Sequence, residues 1–199
     1  RIYINLIDKL DFTLDKGTTA YGIVSSEEGG IKGVVVSDGE ETTTTNEQGI
    51  YQLKSKKKNG YVFISIPANY EVASDGILPL FYKSFKDKSN ADTAERIDFS
   101  LNKVSGQDDY KVFFLGDMHL ANRNNDLSQF KLRFLPDLNT TVEKYRSEGK
   151  KVYGLTLGDM TWDQYWYSNR YDLSKYLITI KSVDLPIFNC TGNHDNNPY

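Results

Sequence analysis

The sequence predicts an α+β chain of two domains, a β-sandwich followed by an α/β segment. Two observations predict it. Between Tyr21 and Leu101, short runs rich in β-branched or aromatic residues alternate with turn residues, the pattern of a sandwich. Beyond Asp109 the apolar spacing switches between strand and helix, the pattern of parallel strands joined by crossover helices. The boundaries this sets are 1–104 for the sandwich (with 1–18 a leader or linker), 105–109 for a linker and 110–199 for the α/β segment.

The sandwich strands are expected at Tyr21–Val24, Gly33–Val36, Thr42–Thr45, Ile50–Leu53, Tyr61–Ile66, Leu78–Tyr82 and Ile97–Leu101. Ile97, Phe99 and Leu101 alternate with Asp98, Ser100 and Asn102, the period of a half-buried strand. Asn59-Gly60 reads as a type I′ hairpin turn, which needs positive φ at both positions, and Asn46–Gly49 as a four-residue loop. Lys56-Lys57-Lys58 reads as a solvated strand end that discourages edge pairing. In the second half, strands are expected at Lys111–Leu115, Val152–Leu157 and Leu185–Cys190, with Cys190 a small apolar filler inside the last. Phe134, Leu138, Val142 and Tyr145 form one helical stripe, closed by Gly149 as C′ residue. Leu173, Tyr176, Leu177 and Ile180 form another, with Asp172 at its N-cap.

Composition excludes several classes. The 199 residues carry a net charge of −3, without the basic field of a general nucleic-acid binder, so no nucleic acid is expected as a structural partner. No apolar run approaches the roughly 18 residues that span a bilayer. The single cysteine forms no intrachain disulfide and no Cys-based zinc finger. The chain opens on Arg1 and lacks a signal-peptide layout there, so a processed or shortened form is expected.

The chemistry gathers after the three parallel strands. They run into Gly116-Asp117-Met118-His119, Gly158-Asp159-Met160 and Gly192-Asn193-His194-Asp195. In open α/β sheets ligands collect at the carboxyl ends of strands, so the three clusters converge on one crevice. If the first strand continues, period two puts Asp117 and His119 on one side, where a carboxylate and an imidazole grip one ion. Asp159 can bridge two ions, and Asn193 adds a neutral carbonyl oxygen. Two ions about 3.5–4 Å apart would acidify a water and clamp a phosphate for in-line displacement.

These motifs, spaced 42 residues from Asp117 to Asp159 and 34 from Asp159 to Asn193, resemble the opening motifs of the calcineurin-like metallophosphoesterases over Tyr110–Tyr199. The resemblance implies that Asp117 and His119 bind the first metal, Asp159 bridges and Asn193 binds the second. It implies that His194 is the catalytic residue, contacting phosphate and stabilising charge or protonating the leaving oxygen, with Asp195 as its orienting partner. Gly22–Val24, Gly33–Gly39, Thr45–Tyr51 and Tyr61–Pro67 resemble the carboxypeptidase-regulatory-like sandwich, found ahead of the phosphoesterase domain in some exported bacterial enzymes. The implied fold is an Ig-like or transthyretin-like sandwich followed by the first half of an αββα domain.

The implied function is hydrolysis of a phosphoester by a hydroxide activated by two divalent ions (Mn, Fe or Zn), with export to the periplasm or cell surface. Two departures accompany it. Trp162 stands where the family often has an Asp three residues after the bridging one, and Asp163 follows one step later. No histidine follows His194, and the chain stops at Tyr199, about halfway through such a domain. The site is therefore expected to be incomplete, and the fragment alone inactive and weak in metal binding. Its exposed sheet would be covered by the remainder of its own catalytic domain, by self-association or by partial disorder.

Other features allow two readings. Trp162, with Tyr165, Trp166, Tyr167 and Tyr171, is either a wall against the leaving group or helix and loop packing. Arg123, among Asn122, Asn124 and Asn125, is the candidate phosphate contact in an otherwise solvated loop; Asn193 and His194 also face substrate in this reading. The alternative function is a non-catalytic surface module that binds glycan or protein through the sandwich.

Overall fold

The computed structural model describes residues 12–88, 90–162 and 171–195. In chain order its strands are β1 (Ala20–Ser26), β2 (Gly29–Gly30), β3 (Val35–Ser37), β4 (Thr42–Thr44), β5 (Ile50–Leu53), β6 (Tyr61–Ile64), β7 (Tyr70–Val72), β8 (Ser74–Asp75), β9 (Leu78–Pro79), β10 (Tyr82–Ser84), β11 (Glu95–Arg96), β12 (Phe99–Lys103), β13 (Tyr110–Leu115), β14 (Lys151–Thr156) and β15 (Ile187–Phe188). The helices are α1 (Asp126–Gln129), which runs through a π turn (Phe130–Phe134) into α2 (Leu135–Ser147), and α3 (Leu173–Ile180). The chain is thus α+β and richer in strand than in helix. It divides into two compact units: Arg1–Pro67 with Phe81–Lys103, and Ala68–Leu80 with Val104–Tyr199.

In the first unit β1 organises one sheet. It pairs antiparallel with β2 and β5 and parallel with β11 and β12. A second, antiparallel sheet runs β10-β6-β3-β4. Strand alternation explains which side chains are buried: Phe99 and Leu101 of β12 lie inside while Ser100 and Asn102 face water. Val24, Tyr51, Leu53 and Phe99 from one sheet and Val36, Val62 and Ile64 from the other supply buried core. The Tyr51 hydroxyl donates to the Ile97 carbonyl at 2.6 Å, so its polar tip is satisfied. The Asn46–Gly49 loop forms as expected, with Asn46 Oδ1 accepting from the Gln48 and Ile50 amides, and it carries the chain from β4 to β5.

Two expectations fail in this unit. Asn59-Gly60 does not close a hairpin: Gly60 has φ +76° but Asn59 is not left-handed, and β5 and β6, on either side, lie in different sheets. Lys57 is not solvated, its side chain being 0 % exposed. Its Nζ donates to Glu95 Oε1 at 2.7 Å and to the Asp87 carbonyl at 3.2 Å, and lies 5.1 Å from the Phe85 ring centre. These partners are distant in sequence, so a local charge run gives no hint of them.

The second unit holds a parallel sheet, β13-β14-β15, as the β-α-β-α-β pattern predicts. Leu135, Leu138 and Val142 of α2 and Tyr176 and Ile180 of α3 join Leu115, Val152 and Ile187 in one core. Gly149 ends α2 with φ +76°, and Asp172 caps α3 by accepting the Lys175 amide at 3.0 Å. The β8–β9 hairpin also belongs here: Ile77 joins the core and accepts the Ile187 amide at 2.7 Å. The expected strand Leu78–Tyr82 is accordingly split where the chain passes between units, at Leu80 and Phe81. Cys190 is exposed rather than buried, because β15 ends at Phe188. The Thr156 hydroxyl, in place of a strand neighbour, bonds the Cys190 amide at 2.8 Å and its carbonyl at 3.1 Å. Tyr110, Val112 and Phe114 share the sheet face opposite Phe113 and Leu115, and Phe114 remains 63 % exposed.

Candidate metal centre

The loops that leave β13, β14 and β15 are laced together by their backbones. His119 N–H donates to the Asp159 carbonyl at 2.9 Å, Leu120 N–H to Met160 at 3.1 Å and Trp162 N–H to Leu120 at 3.2 Å, which joins the first loop to the second. Asp159 Oδ1 accepts the His194 amide at 2.9 Å, which joins the second to the third. Asp195, 3 % exposed, completes the brace. Its carboxylate accepts from the amides of Met160, Thr161 and Gly192 and from the Thr161 hydroxyl, at 2.8 to 3.2 Å. Asp195 thus ties the second loop to the third. Its negative charge, after burial and Tyr171, helps push the Tyr176 phenol pKa up.

The glycines set how closely these loops approach. A Cβ on Gly158 would lie 2.9 Å from both the N and the Cα of Gly192, and one on Gly192 would lie 2.2 Å from Asp159 Oδ1. Only bare backbones let the Asp159 carboxylate rest against the third loop.

Asp117, His119 and Asp159 have φ of 46°, 46° and 52°. The first loop is therefore left-handed, not an extension of β13, and the period-two reason for pairing Asp117 with His119 fails. The two side chains meet all the same. His119 Nε2 lies 3.6 Å from Asp117 Oδ1 and 3.9 Å from Asp159 Oδ2. Non-glycine residues in this region cost roughly 1–3 kcal/mol each and gather at functional sites.

The donor set suits a divalent cation. One donor atom each from His119, Asp159 and His194 lies within 4.8 Å of the others. Ligands about 2.1 Å from a shared ion stand roughly 3–4 Å apart, so the spacing is close to that of a coordination shell. The gaps from His119 Nε2 to the two carboxylates are too long for hydrogen bonds, which leaves room for an ion among them.

The other expected residues take these places. Asn193 is exposed in the turn between Gly192 and His194, and Asp117 is the most open of the acids. Trp162 packs edge-on to His119 with centroids 4.6 Å apart and stacks on His194 at 5.6 Å. The Arg123 guanidinium lies 4.9 Å from the indole centre. Asn122, Asn124 and Asn125 are exposed and left-handed, as a solvated loop requires. Tyr171 is buried and donates to Thr179 Oγ1 at 2.8 Å, a packing role. Asp163, Tyr165, Trp166 and Tyr167 lie outside the described residues.

Sequence reasoning missed Thr156, Thr161 and Asp126. The Asp126 carboxylate accepts the Ala121 and Arg123 amides at 2.7 and 2.8 Å and so shapes the Arg123 loop. Its place three residues after Arg123, at the start of a helix, was the one available signal.

Residues 18–104 match the family model described as "N terminal of Calcineurin-like phosphoesterase". That description points to the calcineurin-like phosphoesterases, a family that uses divalent metals. The match falls on the first half of the chain, whereas the motifs at 117–195 lie in the second. Among solved structures, a variant of the shaft pilin SpaA from Lactobacillus rhamnosus GG is 16 % identical, with a TM-score of 0.27, over 50 % of this chain and 52 % of its own. The chain spans about half the length of that structure. No curated protein matches the chain. No helix among the described residues is long and apolar enough to cross a membrane.

Proposed function

We propose that the chain carries the first half of a two-metal phosphoesterase centre, with the β-sandwich as an accessory domain of the carboxypeptidase-regulatory-like type. The observation that carries the reading is His119 Nε2 lying within 4 Å of both the Asp117 and the Asp159 carboxylates, at the carboxyl ends of adjacent parallel strands. Asp117 and His119 would hold one ion, Asp159 would bridge and Asn193 would hold a second. Manganese, iron and zinc all suit this nitrogen and oxygen set. When bound, such ions supply Lewis acidity that acidifies water and neutralises phosphoryl oxygens.

The protein's own residues do the rest. Asp159 is held by the His194 amide at Oδ1, which leaves Oδ2 turned toward His119. His194, whose ring lies with the His119 and Asp159 donors, would hold a proton for the departing oxygen, while Asp117 and Asn193 complete the ligands. The remainder of the catalytic domain would supply further ligands and cover the Phe114 face of the sheet, and the enzyme would act in an exported compartment. The test is Asp159→Asn in the full-length protein with Mn²⁺ present. Hydrolysis of p-nitrophenyl phosphate and bis-p-nitrophenyl phosphate should fall at least a hundredfold, and calorimetry should show weaker Mn²⁺ binding. A variant as active as the parent would end the proposal and leave the sandwich as a binding module.

A further inference from the structure

Among the described residues, the imidazole of His119 lacks the hydrogen bond that usually supports a metal-binding histidine. Such a ring usually donates its second nitrogen to a carboxylate, carbonyl or water, which fixes its rotation. Here Nε2 faces the Asp117 and Asp159 carboxylates, while Nδ1 is buried and has no hydrogen-bond partner among the described residues. What meets the ring instead is aromatic. His119 packs at 61° to Trp162 with centroids 4.6 Å apart and at 59° to His194 at 4.8 Å, and Trp162 lies at 29° to His194 at 5.6 Å. The three rings form a triangle of mutual contacts.

We propose that Trp162 is a positioning residue that sets the orientation of both histidines by ring packing, in place of a hydrogen bond. This rests on the reading of the site as a metal centre. The backbone holds Trp162 beside His119: Trp162 N–H bonds the carbonyl of Leu120, the residue next to His119, at 3.2 Å, and Leu120 bridges Thr161. On the indole lies Arg123, 4.9 Å from its centre, on the loop that the Asp126 carboxylate holds through the amides of Ala121 and Arg123. A chain of support therefore runs from Asp126 through Arg123 and Trp162 to the histidines.

The experiment measures Co²⁺ binding to the full-length protein by calorimetry, together with the visible absorption of bound Co²⁺, which reports ligand geometry independently of turnover. Trp162→Ala should weaken Co²⁺ binding at least tenfold and alter the absorption bands, the usual scale for losing a residue that orients a ligand. Trp162→Phe, which keeps a ring, should stay within about threefold of the parent, a rescue not expected of mere space-filling. Trp162→Leu, apolar without a ring, should resemble the alanine variant. Equal affinity and identical bands for parent and alanine variant would overturn the proposal. If the alanine variant does not fold, equal affinities of the phenylalanine and leucine variants would overturn it instead. A parent protein that binds no Co²⁺ would overturn the metal reading and this inference together.

Discussion

Gly192→Ala tests how tightly the loops around the candidate centre are built. Gly192 is not left-handed, so alanine adds no backbone strain and the whole effect is the new Cβ. That carbon would sit 2.2 Å from Asp159 Oδ1 and 2.6 Å from Asp159 N, against an ordinary carbon–oxygen contact of about 3.3 Å. The Asp159 carboxylate must then move by about 1 Å, which breaks its bond to the His194 amide. Overpacking costs about 1–3 kcal/mol, and losing a hydrogen bond to a charged group about 1.5–3 kcal/mol, so about 4 kcal/mol is expected. At about 4–8 °C per kcal/mol for a unit of about 100 residues, the melting midpoint should fall by about 16–32 °C. Gly149→Ala is the control, because its Cβ meets nothing within 4 Å and only the φ of +76° opposes it, at about 1–2 kcal/mol. Thermal unfolding followed by near-ultraviolet circular dichroism compares the two. A midpoint for Gly192→Ala no lower than that for Gly149→Ala would refute the close-approach argument.

Three further variants test the same structure. Burial opposes charge on Glu95, but hydrogen bonds from Lys57 and from the Lys86 and Asp87 amides outweigh it and hold its pKa below the usual 4.5. The resulting stability is fully present above about pH 4.5 and is lost as pH falls through the depressed native value, so Glu95→Gln should flatten the acid limb of a stability-against-pH curve. At pH 7 the same variant leaves Lys57 buried without its countercharge and should cost about 3 kcal/mol in urea unfolding. Asp195→Asn replaces one acceptor oxygen by an amide among four donors and should lose about 2–3 kcal/mol, with faster hydrogen exchange at Met160, Thr161 and Gly192. Asp172→Ala removes the α3 cap and should lose about 1 kcal/mol by the same unfolding measurement.

Much of the fold is legible where a residue's role depends on near neighbours. The parallel strands, the Gly149 and Asp172 helix ends and the Asn46 loop all follow from local spacing and turn chemistry. The failures share a different cause. Lys57 is buried because of Glu95, 38 residues away, and Ile77 joins the second core through Ile187, contacts that no local window contains. Cys190 leaves the strand because the Thr156 hydroxyl takes over its backbone. At the candidate centre, residue types were more informative than geometry. Asp117, His119, Asp159 and His194 do gather, but through left-handed turns and bare-glycine contacts, not through a strand continued by two residues.

The left-handed backbone at Asp117, His119 and Asp159 restricts which residues could replace them. Valine, isoleucine or threonine there would be opposed most strongly by the main chain, and alanine at about 1–2 kcal/mol per position. Glycine would let all three turns relax, and asparagine would fit them better than most residues. A lineage that gave up the chemistry would therefore be expected to drift toward glycine at these positions and to fold more firmly as it did so.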